Sequence, residues 1–201
     1  MGELADRLNS LVVRETSSDG NITVTREHRN HITLGFRPGA YRSYDETTLA
    51  GQLGELARAV RGRCQRSYYE TVSDVTGQPV TAGEAERELD GRGRRFREAQ
   101  RALHIEMASS DGWITVETEG LDHWRVRIRN GALRALSEQE FVAQGTAALG
   151  LLLNAYRDRD RELRDEFFDL KLPDGNSLPQ ADEPAEEGNV VQEGGRDARF
   201  W

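Results

Sequence analysis

Ser17-Ser18-Asp19-Gly20-Asn21-Ile22-Thr23-Val24 returns 92 positions later as Ser109-Ser110-Asp111-Gly112-Trp113-Ile114-Thr115-Val116. Sliding the chain on itself by that offset needs no gap from Ser17 to Val60. Identical pairs include Glu27/Glu119, His31/His123, Arg37/Arg129, Gly39/Gly131, Arg42/Arg134, Glu46/Glu138 and Gln52/Gln144. The apolar positions keep phase as well, as Leu34/Val126, Phe36/Ile128, Leu49/Phe141 and Val60/Leu152. Agreement in residue type and in phase over this length marks a tandem duplication, and a repeat sets the architecture before anything else.

Working outward from the first copy, Asp19-Gly20 is a turn signal. Ile22 and Val24 alternate with threonines, and Ile32, Leu34 and Phe36 alternate with Thr33, Gly35 and Arg37. This period of two predicts two half-buried strands joined by a polar turn over 26–30. Upstream, Leu4, Leu8, Leu11 and Val12 sit at helical spacing, while Val12 to Thr16 also suits a first strand. Downstream, Pro38-Gly39 closes the sheet. Asp45 is placed to cap a helix carrying Leu49, Leu53, Leu56, Val60 and Cys64, which is expected to run to about Tyr69.

The second copy opens with Thr81 and Glu84, a capping box, ahead of one long helix with Leu89, Phe96 and Leu103 seven apart. Gly91 and Gly93 weaken that helix by about 1 kcal/mol each. Strands recur at Ile114/Val116 and Trp124/Val126/Ile128, and a Ser137/Glu140 capping box opens a helix reaching Phe167. The expected fold class is α+β, with two tandem units of helix, antiparallel strands and long helix. The expected division is a first unit over 1–70, a linker over 71–81 and a second unit over 82–171. An acidic tail over 172–201, expected to be disordered, carries Phe200 and Trp201. Units of about 70–90 residues have marginal cores, so the two are expected to pack on each other.

The net charge of -8 excludes a globally basic nucleic-acid binder, so such a function has to come from local patches. The 26 arginines against the single Lys171 read as codon bias. One cysteine, Cys64, excludes an intramolecular disulfide and fits a reducing compartment. With no apolar run of the roughly 18 residues that span a bilayer, and no signal-peptide pattern, the expectation is a soluble, cytoplasmic chain.

The ordered pattern Gly20–Val24, Ile32–Pro38, Tyr41 and Asp45–Val60 occurs again as Gly112–Val116, Trp124–Arg129, Leu133 and Ser137–Leu152. It resembles the YbaB/EbfC family of nucleoid-associated proteins. The resemblance implies a pseudo-dimer, two fused units doing in one chain what family members do as homodimers. It also implies weak DNA binding with little sequence preference, and nucleoid association. Related small actinobacterial proteins accompany type VII secretion systems, so a protein-binding accessory or chaperone stands as the alternative, with self-association open.

Three arginine groups are candidates for phosphate contact. Arg58, Arg61, Arg63 and Arg66 follow one another with no acid between Leu56 and Tyr69. Placed near a helix C-terminus, they also fit a structural role opposite the macrodipole. Arg92 and Arg95 stand out from a second, acid-interrupted group as poorly opposed. Arg125, Arg127 and Arg129 form an outward strand ladder, with Glu117 expected across from Arg125. Enzymatic chemistry finds no constellation. Cys64 lies on an apolar helical stripe, His31 and His123 are equivalent positions of the repeat, and no spacing suits a metal or cofactor.

Overall fold

The computed structural model describes residues 3–27, 31–87 and 89–168. The first unit contains α1 (Glu3–Asn9), β1 (Val13–Thr16), β2 (Ile22–Glu27), β3 (His31–Phe36) and α2 (Glu46–Thr76). The second contains α3 (Ala82–Arg87), α4 (Gly91–Arg101), β4 (His104–Ala108), β5 (Ile114–Glu119), β6 (His123–Ile128), α5 (Ala132–Ala135) and α6 (Glu138–Phe168). Each unit builds one antiparallel sheet, in the orders β1-β2-β3 and β4-β5-β6. Equivalent residues hold equivalent registers: Val24 pairs with Leu34, and Val116 with Val126.

The repeated octapeptide folds the same way twice. Ser17 Oγ donates to Asp19 Oδ1 at 2.6 Å and accepts the Ile22 amide at 2.9 Å. Ser109 Oγ donates to Asp111 Oδ1 at 2.9 Å and accepts the Ile114 amide at 3.1 Å. Gly20 and Gly112 take φ of 74° and 71°, a left-handed conformation that only glycine adopts without strain. Each long helix then anchors on this loop: Ser18 donates to Gln52, and the equivalent Gln144 donates to Asp111.

Each long helix packs on its own sheet and also reaches the other unit's. The buried stripe of α2 lies chiefly across β6 of the second sheet, while α6 reaches β3 as well as β4 and β5. Gly54 is buried at the first crossing, where a Cβ would sit 3.5 Å from the Trp124 carbonyl oxygen, so backbone and strand come close. Phe141 of α6 packs on Phe36 and Tyr41 of the first unit, with ring centroids 6.1 and 5.5 Å apart. Tyr41 Oη donates to the Leu136 carbonyl at 3.1 Å. Burial, with the carboxylates of Glu138, Glu46 and Glu140 nearby, pushes that phenol up to about 12. Glu46 Oε1 in turn accepts the amides of Gly131, at 2.9 Å, and Leu133, at 3.4 Å. One continuous apolar core results, from Val13 and Ile22 through Leu49 and Val60 to Ile114, Trp124 and Leu152.

Several expectations change. The N-terminal stretch is both things in succession, helix to Asn9 and then strand from Val13. The polar turn starts later than 26, because Arg26 is buried inside β2 with its Nη1 3.4 Å from Cys64 Sγ. Residues 28–30 lie outside the described residues. Helix α2 passes Tyr69 and ends at Thr76, so much of the expected linker over 71–81 is helix. Val72 continues its buried stripe, and Gly77, with φ of 67°, terminates it. The single helix expected after Thr81 is two. Asp90 accepts the Gly93 amide at 2.6 Å and starts α4 afresh, leaving Leu103 beyond its end. Both capping boxes form, with Glu84 Oε2 accepting Thr81 N and Glu140 Oε2 accepting Ser137 N at 2.9 and 2.8 Å. The tail from Pro173, with Phe200 and Trp201, lies outside the described residues.

Phe141→Ala is expected to cost about 3–5 kcal/mol, because a wholly buried ring joining both units is removed. Gly150→Ala, in the interior of α6 with no atom in the way, should stabilise by about 0.8–1 kcal/mol. Urea unfolding followed by circular dichroism checks both.

Candidate nucleic-acid interface

Because α2 buries Leu56, Val60, Cys64 and Tyr68, its opposite flank faces solvent and carries Arg58, Arg63 and Arg66, all exposed. The guanidinium of Arg66 folds back over the helix, 3.5 Å from where a Cβ on Gly62 would be. Among the described residues these three arginines make no hydrogen bond or ion pair. They also lie well inside the helix. Its end at Thr76 is more than two turns beyond Arg66, and a macrodipole acts only over the last turn. The structural role expected from a nearby C-terminus therefore does not apply.

Arg61 separates from this group. It sits toward the buried side of α2, its Nε 3.8 Å from Asp122 Oδ1 in the β5–β6 turn. That turn holds Gly120 and Leu121 at positive φ, which buries Leu121 and leaves Asp122 exposed. Tyr156 of α6 is buried beside the same charges, and its phenol is pushed up by desolvation and by Asp160. Arg61 thus belongs to a polar joint between the units rather than to the exposed row.

Arg92 and Arg95 occupy the first turns of α4 and are exposed, again without a partner among the described residues. Arg94, between them, donates to the Leu89 carbonyl at 2.7 Å. A cation in the first turn, as Arg92 is, opposes the helix dipole at a cost of about 0.3–1 kcal/mol, and Arg95 lies one turn further in. Helix α4 packs on α6, with Phe96 against Phe167 and Phe168. The two arginine groups therefore stand on separate helix pairs, α2 with α1 and α4 with α6.

The remaining arginines of the second unit are largely engaged. Arg127 pairs with Glu106 and Glu117 at 2.6 and 2.7 Å, and Arg125 lies 3.7 Å from Glu117, across the register anticipated for the ladder. His104, Arg125 and Arg127 hold the Glu117 carboxyl below its usual range. Arg129 lies over the Trp113 ring. Behind the exposed surface, Asp160 accepts from Gln100 at 2.5 Å and from Arg164 at 3.0 Å, fastening α4 to α6. Sequence spacing shows the Asp160–Arg164 step but gives no sign of the link to Gln100.

Cys64 is buried, and no group of three or more His, Cys, Asp or Glu among the described residues is placed to hold a metal ion. No helix among them is long and apolar enough to cross a membrane. Compared with protein-family models, curated proteins and solved structures, the chain finds no match in any of the three.

Arg61→Ser is expected to destabilise by about 1 kcal/mol, whereas Arg58→Ser, Arg63→Ser and Arg66→Ser each stay within about 0.5 kcal/mol of the parent. Equilibrium denaturation separates them. Stability should also fall on acidification, for a reason of sign. Partial desolvation raises the Asp19 carboxyl, but hydrogen bonds from Ser17, Tyr44 and Asn21 outweigh it and hold it at about 2. Glu46, Glu84, Glu117 and Glu140 are likewise depressed from 4.5. Depressed carboxyls stabilise above their unfolded values, so the loss should run from about pH 4.5 down to about pH 2 in a pH series of thermal melts.

Proposed function

We propose that this chain is a non-enzymatic DNA-binding protein that grips the phosphate backbone through helix-borne arginines, with little sequence preference. The observation that carries this is the state of the candidate side chains. Arg58, Arg63, Arg66, Arg92 and Arg95 are exposed and unpaired within the described residues, although many other arginines are committed to carboxylates, carbonyls or rings. Their positions have no macrodipole rationale: the α2 set and Arg95 lie inside their helices, and Arg92 sits at the disfavoured end of α4. Two units joined through one core, each with a long helix, also support the pseudo-dimer implied by the likeness to YbaB/EbfC proteins. Phosphate contacts of this kind position a protein without reading bases. In a chain of net charge -8, a few exposed arginines support only weak affinity, about micromolar or poorer at physiological salt.

One feature favours the second reading, a protein-binding accessory of the kind associated with type VII secretion. Leu151 is 54% exposed on α6, with Ala147 exposed one turn before it. That face offers an apolar contact to a protein partner or to a second copy.

Fluorescence anisotropy on a short duplex across a salt series tests the DNA reading. The slope of log affinity against log salt should shrink by about 0.9 for each of Arg58, Arg63 and Arg66 replaced by Ser. Arg61→Ser should leave that slope unchanged. No binding at about 50 mM salt with excess protein would turn the assignment to the protein partner.

A further inference from the structure

A pocket of about 90 Å³, open on one side, lies between the two units, lined by both sheets and both long helices. Its walls come from equivalent positions of the repeat: Val24 and Val116, Leu34 and Val126, Leu53 and Gly145. The last pair explains the space. Where the first unit fills the position with Leu53, the second has no side chain, and a Cβ on Gly145 would meet only Ile114 Cδ1, at 3.7 Å. A second mismatch, Ala57 against Leu149, adds to it.

The lining offers almost nothing polar to a guest. Thr146 carries its one hydroxyl, which already donates to the Val142 and Ala143 carbonyls at 2.7 and 3.1 Å. A water there would find at most the Thr146 hydroxyl oxygen of the two to four polar partners that hold an ordered water, so the pocket is poorly hydrated. Poorly hydrated apolar walls forfeit the dispersion contacts that a close-packed interior makes, and an apolar guest restores them. Closed cavities of about 150 Å³ with such walls hold benzene or xenon, and in this smaller, open pocket part of such a guest extends toward the surface. Val24, Leu34 and Val126 are only half-buried, which opens a route in from the surface.

The geometry points to a binding site for a small uncharged apolar ligand, in the size class of a single aromatic ring or a short alkyl chain, seated between the two units. This site is independent of the arginine surface and stands whether the partner is DNA or protein. Benzene serves as the probe and benzoate as its charged counterpart, titrated into the full chain with methyl NMR and thermal melting as readouts. The expected result is saturable shifts at the methyls of Val24, Leu34, Val126 and Leu149 and a raised midpoint with benzene, neither of which appears with benzoate. Gly145→Leu should keep the fold, since Leu53 occupies the equivalent place, and should weaken benzene by about tenfold or more. Ala57→Leu, which copies the leucine that the second unit carries at the equivalent Leu149, is the second filling variant and should act alike. Absence of saturable shifts in the parent chain, shifts confined to other methyls, or undiminished binding in a folded filled variant would overturn the site.

Discussion

The crossing of α2 over β6 is the contact on which the rest depends. A three-stranded sheet has one apolar face and too few residues of its own to cover it, and a unit of this size has a marginal core. Here each sheet borrows. Helix α2 covers β1 and β2 of its own unit and extends across β6 of the second sheet, and α6 reaches back to β3. Glu46, Tyr41 and Phe141 then fasten the exchange with hydrogen bonds and ring contacts that cross from unit to unit. Once Leu49, Leu56, Val60 and Cys64 are committed to that crossing, helical geometry turns the flank with Arg58, Arg63 and Arg66 to solvent. The surface proposed to bind is a consequence of how the core closes.

An acidic chain presents a cationic surface only if its carboxylates are occupied elsewhere. Glu117 and Glu106 are held by Arg127, Asp160 by Arg164, and Glu86 by Arg101. Other carboxylates cap helices or satisfy turns, as Asp19, Asp45, Glu46, Asp90, Glu84 and Glu140 do. What is left exposed on α2 and at the start of α4 is therefore more basic than the overall balance suggests. Interactions between such exposed charges are screened over about 8–10 Å at physiological salt, so local arrangement matters more than the total.

The duplication, the strand pairs β2–β3 and β5–β6, the outward arginine ladder and the helix starts at Asp45, Thr81 and Ser137 were legible, because alternation, phase and capping chemistry are local signals; β4 was not, since the helical spacing of Leu89, Phe96 and Leu103 ran up to it. The end of α2 was not. Thr71, Ser73 and Thr76 read as loop residues, yet each hydroxyl bonds back to a carbonyl four residues earlier while Val72 keeps the stripe buried. The break at Asp90 was hidden by the seven-residue spacing of Leu89, Phe96 and Leu103, which mimics one helix. Arg26 looked like a turn residue and is buried beside Cys64. Arg61 could not be told from its neighbours, since its partner Asp122 is distant in sequence. The cavity left by Gly145 depends on which helix covers which sheet, and no spacing encodes that.

Native-state hydrogen exchange on the full chain addresses the shared core most directly. If the two copies form one body, the amides of α2 from Leu53 to Val60 and those of β6 should have the same opening free energy and lose protection together as denaturant is added. A first unit that opens well before β6, leaving the second sheet fully protected, would contradict the account.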